Sequence, residues 1–82
     1  MSNEYNRYTQ FPDNHVTVTP SDAVDLFDPM VICAGTTGNI AIVDKNDTVI
    51  VYTIATAPAI LPVVAKRVNA TGTTVTQVIG LY

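Results

Sequence analysis

Short apolar runs rich in Val and Ile alternate with turn-forming segments from Met30 to the end of the chain. These runs predict β-strands, because β-branched residues favour extended structure and have low helix propensity. The predicted strands cover residues 30–34, 39–43, 48–54, 62–69 and 74–81. Strands at such short intervals indicate an all-β fold, a small antiparallel β-sandwich or barrel with an extended N-terminal arm.

The segments between these strands carry residues that suit turns. They are 35–38, 44–47, 57–59 and 71–74. The glycine-bounded segment 35–38 predicts a hairpin turn, and Gly72 predicts a second tight turn that joins the last two strands. Pro62 is expected at the first residue of its strand, where no backbone N–H is needed for the ladder.

The last predicted strand alternates between two faces. Val75, Ile79 and Leu81 share the face expected to be buried. The opposite face holds Thr74, Thr76, Val78 and Tyr82. The strands at 30–34 and 39–43 are instead apolar on both faces, so a second sheet, the arm or another subunit must cover one of them.

Residues 1–28 hold aromatic side chains among polar residues, two prolines and most of the acidic side chains. This difference in composition divides the chain into an extended arm at 1–28 and a β-domain at 29–82. The arm has four aromatic side chains that are candidate capsid or subunit contacts: Tyr5, Tyr8, Phe11 and Phe27. An alternative is that the arm wraps its own domain. Residues 15–19 alternate as a short strand would, and a serine cap at Ser21 could begin one helical turn.

Several short segments, in order, resemble the small head-spike base proteins of tailed phages and gene transfer agents. They are Leu61-Pro62, Lys66-Arg67-Val68, Ala70-Thr71-Gly72-Thr73-Thr74, Leu81-Tyr82 and the glycine-centred turn within 35–43. The resemblance covers roughly residues 29–82. It implies a non-enzymatic virion part on the capsid exterior that carries a spike or fibre, and no catalytic residues are carried over.

Composition indicates an interface without reference to that family. Only 13% of the 82 residues are charged while 48% are apolar, which is a charge-poor surface for a free monomer. A chain of this length buries only about 60–65% of its unfolded surface and often needs outside support. One cysteine and one histidine supply neither a disulfide nor a four-ligand zinc site. We therefore expect a homo-oligomer. Cys33 lies in the apolar run 30–34, so we expect its thiol to be buried.

The charge balance argues against nucleic acid as a partner. The net charge is -3, and the chain has only four Lys and Arg residues, whereas phosphate binding needs clustered cations. The N-terminus lacks an apolar signal segment, and no apolar run reaches the roughly 20 residues of a membrane helix. We expect a soluble protein with no export signal and no membrane partner.

Catalytic and ligand-binding motifs are incomplete. His15 and Ser21 lack the strand-turn-helix context of a hydrolase triad. The aspartates at 22, 25 and 28 lack the glycine and the glutamate of a calcium loop. Segment 35–38 lacks the lysine and the helix of a phosphate loop. We predict no catalytic, cofactor or metal site, and therefore no enzyme.

The resemblance favours a structural virion protein, the oligomeric base that attaches a head spike or fibre. The alternative is a capsid cement protein that stabilises the head lattice. The implied partners are the major capsid protein, a spike or fibre protein and further copies of the chain, with a pentamer favoured and a trimer possible. The implied location is the capsid surface of the virion after synthesis in the host cytoplasm. A carbohydrate-binding module is a weaker third possibility, because Trp is absent.

Overall fold

The computed structural model describes residues 12–82, which form two antiparallel sheets packed against each other. No helix lies within this described range. The strands are β1 His15–Thr17, β2 Met30–Ala34, β3 Gly38–Val43, β4 Val49–Ile54, β5 Ala59–Ala65, β6 Arg67–Asn69 and β7 Val78–Leu81. The predicted all-β class is confirmed, in its sandwich form.

The first sheet has four strands in the order β1-β7-β2-β5, and the second has three in the order β4-β3-β6. Both sheets contribute apolar side chains to one core. The largest that are buried completely are Met30, Ile32, Ile40, Val43 and Val68. β5 runs almost directly into β6, so these two strands meet where the chain passes from one sheet to the other.

The middle of the chain follows the prediction closely. β2 has the expected bounds, and β3 and β4 differ from theirs by one residue at one end. The predicted turn at 44–47 connects β3 and β4 as a hairpin. One carboxylate oxygen of Asp44 accepts hydrogen bonds from the N–H groups of Asn46 (2.8 Å) and Thr48 (3.0 Å). Asp47 adopts a φ of 65° in the same turn.

The prediction of one strand over 62–69, in a hairpin with the last strand, is wrong. The chain breaks at Lys66, whose N–H donates to the carbonyl of Val43 at 2.8 Å. β5 before the break belongs to the four-stranded sheet, and β6 after it belongs to the three-stranded sheet. Since β6 and β7 are in different sheets, the turn around Gly72 is a crossover.

Pro62 also lies elsewhere than predicted, inside β5 and not at its start. Val31 and Ile32 are consecutive on β2 but face Val64 and Leu61 on β5, so two residues of β5 have no opposite partner. This bulge on an edge strand accommodates a residue that cannot donate to the ladder.

The predicted inward face of the last strand is correct at Val75 but wrong for Ile79 and Leu81. Val75, Val78 and Gly80 are buried, whereas Ile79 and Leu81 are half-exposed on the outer face. The strand begins only at Val78, because the preceding segment crosses between the sheets. The alternation of inward and outward side chains counted from Thr74 therefore does not continue into β7.

Hydrogen bonds hold this crossing segment at both ends. The N–H of Thr74 donates to the carbonyl of Asn39 at 2.8 Å, in the three-stranded sheet. The carbonyl of Gln77 accepts from the N–H of Gly35 at 2.8 Å, beside the four-stranded sheet. Gly35 lies in the segment predicted as a hairpin turn. That prediction is wrong, since the segment connects β2 to β3 in the opposite sheet.

Part of the N-terminal segment packs on its own domain. β1 pairs with β7, and Val18, whose N–H donates to the carbonyl of Val78 at 2.8 Å, joins the core. The described end of the arm thus matches the alternative in which the arm wraps its own domain. The predicted helical turn at Ser21 is absent from the described structure. The Ser21 hydroxyl instead accepts hydrogen bonds from the N–H groups of Ala23 and Val24 in a non-helical turn.

Residues 21–26, which we call the strap, run along β6. The N–H of Ser21 donates to the carbonyl of Val68, and the N–H of Leu26 donates to the carbonyl of Lys66, both at 2.8 Å. The Leu26 side chain also packs against the core. The strap therefore covers the outer edge of the three-stranded sheet on the β6 side.

Candidate interaction surfaces

The four-stranded sheet buries one face and leaves the other open. On the open side, cross-strand pairs form two rows. Leu81, Val31 and Val64 make one row, and Ile79, Cys33 and Ile60 make the other. We call these six residues the open face.

The open face carries no charged side chain. Ile60 is 61% exposed and Val64 is 54% exposed, and the other four are half-buried. Cys33 is among them, so the prediction of a buried thiol is wrong. An apolar patch spanning three strands in a small domain is a candidate interaction surface.

An aromatic pair stands at the rim of the same sheet, where β2 begins and β7 ends. The rings of Phe27 and Tyr82 meet edge to face, with centroids 5.2 Å apart. Phe27 remains 71% exposed. It is the one predicted contact residue within the described range, because Tyr5, Tyr8 and Phe11 lie outside it.

The three-stranded sheet has no comparable open face. Ile40 and Ile42 of β3 point into the core, and Ala41 on the other side is equally buried. The crossover loop covers it, with the Ala41 N–H donating to the Thr73 hydroxyl at 3.0 Å. Gly72, at a φ of 92°, brings the loop backbone so close that a Cβ there would lie 3.5 Å from that of Ala41.

This sheet is open instead at the edge formed by β4. Val49, Ile50 and Val51 are each about half exposed, at 46%, 50% and 52%. The carbonyls of Asn39 and Val43 bond toward the β6 side of β3. In an antiparallel ladder the alternate β3 residues then bond β4, which leaves the N–H and C=O groups of Val49, Val51 and Thr53 pointing outward.

The other three sheet edges in residues 12–82 are closed or short. The strap covers β6. β5 contains Pro62 and a bulge, which hinder the addition of a strand. β1 is only three residues long. β4 is the one long edge in the described structure that lacks such protection.

Four of the charged side chains in residues 12–82 form two ion pairs. Arg67 bonds Asp25 at 2.8 Å, and Lys66 pairs with Asp47. The hydrogen bond and charge of Lys66 lower the pKa of Asp47. Asp22 accepts from the hydroxyl (2.6 Å) and N–H (2.9 Å) of Thr71, and these bonds lower its pKa.

Neither a metal site nor a membrane-spanning helix is found between residues 12 and 82. No group of three or more His, Cys, Asp or Glu side chains there converges as a metal site would. No helix in that range could cross a membrane. A depression of about 410 Å³ beside the 44–47 turn has a mixed polar and apolar lining and no such cluster.

Comparison with solved structures gives a match over most of the chain. The matching chain comes from a structure described as the capsid of a native GTA (gene transfer agent) particle computed with C5 symmetry. The two chains are 36% identical, with a TM-score of 0.77. The alignment covers 87% of this chain and 83% of the other. This chain belongs to the same family as that chain of the particle.

Membership of this family supports the broad part of the resemblance seen in the sequence, a relationship to capsid-associated proteins of phages and gene transfer agents. No protein-family model matches the chain, and no curated protein matches it. The distinction between a spike base and a cement protein is therefore a matter for proposal.

Sequence reasoning anticipated that β2 needs cover on a second face, but it missed the outward side chains of β7 and the β4 edge. The open face arises because β7 begins late, so Ile79 and Leu81 turn outward. The β4 edge had a visible signal, an apolar run at residues 49–52 without the alternation of a strand whose one face is solvated. Such a run predicts that both faces of the strand are covered, but within residues 12–82 the side chains of Val49, Ile50 and Val51 remain about half exposed.

Proposed function

We propose that the protein is a structural, non-enzymatic component of the capsid exterior that forms the oligomeric base for a head spike or fibre. The observation that carries the proposal is the 36% identity, over 87% of the chain, with a chain of a gene transfer agent capsid. The sequence segments that resemble head-spike base proteins support the more specific role.

The surfaces fit a protein with several simultaneous neighbours. A spike base must contact the capsid below, its own copies at the side and the spike above. The described domain offers a side-chain surface, the open face, and a separate backbone surface, the β4 edge. The C5 symmetry used for the related particle is compatible with a five-membered ring at a capsid vertex. The major capsid protein and a spike or fibre protein are the partners we propose.

Copy number separates this proposal from the cement alternative. Vertex positions on a capsid are few, whereas lattice positions are many. The ratio of this protein to the major capsid protein, measured by quantitative mass spectrometry of purified particles, should be low for a spike base. A ratio near one copy per lattice position would contradict the spike base and favour a cement protein.

Particles assembled without the protein give a second, independent readout. For a spike base, we expect intact heads that lack spikes in electron micrographs and that resist heat as the complete particles do. Heads that keep their spikes but break at lower temperature would support the cement role instead.

A further inference from the structure

The β4 edge presents unpaired backbone groups next to exposed apolar side chains. Val49, Val51 and Thr53 direct N–H and C=O groups outward, and no strand in residues 12–82 bonds them. The exposed side chains of Val49, Ile50 and Val51 flank these groups. An edge of this kind is a template for a further strand.

The symmetry of the assembly restricts which strand can fill this edge. This inference rests on the proposed function, in which copies form a closed five-membered ring. Pairing of β4 with β4 of another copy would be isologous and would stop at two copies. A ring with an odd number of copies requires a heterologous contact, so the added strand must be an element other than β4.

Within residues 12–82 no other long edge is available. The strap occupies β6, Pro62 and the bulge interrupt β5, and β1 offers only three residues. The segment outside the described range, residues 1–11, is then the donor that the chain has to offer.

Length and composition fit this segment to the edge. Eleven extended residues reach about 36–40 Å, while the six residues of β4 span about 20 Å. Residues 5–11 contain Tyr5, Tyr8, Thr9 and Phe11, which favour strands, and only one charged residue, Arg7. β4 has no charge, so pairing would leave no opposing ionic group buried.

We propose that residues 5–11 of one copy add to β4 of the neighbouring copy as the fourth strand of its three-stranded sheet. The segment enters through Pro12, Asp13 and Asn14, which are exposed, and Asn14 pairs with Tyr82 at the end of β7. Each copy then donates one strand and accepts one, which closes a ring.

Cysteine cross-linking tests the pairing and identifies the donor. In a Cys33→Ala background, Val51→Cys is combined in turn with Asn6→Cys, Tyr8→Cys and Gln10→Cys, which together sample the possible registers. After mild oxidation we expect at least one combination to give covalent oligomers up to the ring size on non-reducing gels. An intrachain link that leaves a monomer, or no link with any combination, would overturn the proposal.

A matched pair of edge variants tests the same contact without cross-linking. Val51→Pro removes an outward N–H and leaves the β3 ladder intact, whereas Val51→Thr keeps that N–H. We expect Val51→Pro and a deletion of residues 1–11 each to convert the ring to monomers in sedimentation, and Val51→Thr to retain the ring. Circular dichroism reports whether each variant folds.

These results can be separated from failure of the proposed function. Binding of the variants to spike-free capsids is measured in parallel with sedimentation. If the deletion of residues 1–11 leaves the ring unchanged, the strand exchange is wrong even where capsid binding is normal. If wild-type protein does not bind capsids at all, the proposed function fails, whatever its oligomeric state.

Discussion

The two sheets of this domain leave different surfaces uncovered. The four-stranded sheet buries one face and exposes the other, where apolar side chains of three strands lie in rows. The three-stranded sheet is covered on both faces of β3 but exposes the backbone edge of β4. A side-chain surface selects its partner by shape and polarity, whereas a backbone edge accepts many extended segments and gains specificity from position.

The largest expected effect comes from placing a charge on the two faces of the four-stranded sheet in turn. Val78 is 3% exposed and lies in the core, and Ile79 beside it points to the open face. Val78→Asp loses about 1.5–3 kcal/mol of apolar burial and adds a polar group at a further cost of about 2–7 kcal/mol. Since small domains have only about 5–15 kcal/mol of stability, we expect Val78→Asp not to fold.

The matched variant is Ile79→Asp, which we expect to fold with a lowered melting temperature. The sequence alone predicted the reverse, with Ile79 as the buried residue. Thermal melts followed by circular dichroism distinguish the two outcomes. A folded Val78→Asp, or two variants with equal effects, would contradict the assignment of the faces.

A second, smaller effect is expected from shortening the N-terminus. Deleting residues 1–20 removes β1 and the buried side chain of Val18, which contributes about 1.5–3 kcal/mol. We expect the melting temperature to fall by roughly 10–20 °C, because each kcal/mol shifts it by about 4–8 °C in a domain of this size. Deleting residues 1–11 is the comparison, because it removes the proposed strand exchange but keeps β1 and Val18. The additional fall after deleting residues 1–20 measures the contribution of β1, and equal melting temperatures for the two deletions would mean that β1 contributes nothing.

Local pattern predicted much of the fold, and the errors in how the strands connect share one cause. β2 and the β3–β4 hairpin were predictable because their strands are continuous and their turn has its own hydrogen bonds around Asp44. The errors at 35–38, Lys66 and 74–77 all occur where the chain passes from one sheet to the other. A crossover and a hairpin turn use the same residue types, so composition does not distinguish them.

The interaction surfaces were less predictable for the same reason. Which face of β7 points outward depends on where the crossover ends, and that end is fixed by a long-range bond between Gly35 and Gln77. The exposure of β4 depends on which edges the remaining chain covers. Only Phe27, among the candidate contact residues, was both predicted from the sequence and found exposed in the described range.

A third change probes the open face with little effect on stability. Ile60→Asp and Val64→Asp alter side chains that are more than half exposed, so we expect each to cost less than about 1 kcal/mol. Binding to the capsid or to neighbouring copies should nevertheless weaken strongly, because a charge would be desolvated at the interface. Val24→Asp, at a residue of the strap that is 68% exposed, is the control. Equal binding by all three variants would remove the open face as a docking surface.

The smallest effect is expected at the strap, which covers one edge of the three-stranded sheet. The hydroxyl and the N–H of Thr71 bond the Asp22 carboxylate and lower its pKa from the ordinary value of 3.8. A lowered pKa in the folded state stabilises the fold above the unfolded pKa, and this stabilisation is lost as the pH falls through the folded value. Because Asp22 is exposed, its share of the acid-induced fall in melting temperature should be slight.

Asp22→Asn isolates that share, since the amide keeps an acceptor for the Thr71 N–H and cannot titrate. Melting temperatures at pH values above and below 3.8 should decline less steeply in Asp22→Asn than in the wild type. Thr71→Ser, which keeps both the hydroxyl and the N–H that bond Asp22, is the control and should match the wild-type slope. If the slopes of Asp22→Asn and the wild type coincide, the bonds to Thr71 do not hold the strap. The cover on β6 would then depend on the backbone bonds of Ser21 and Leu26 and on the burial of Leu26.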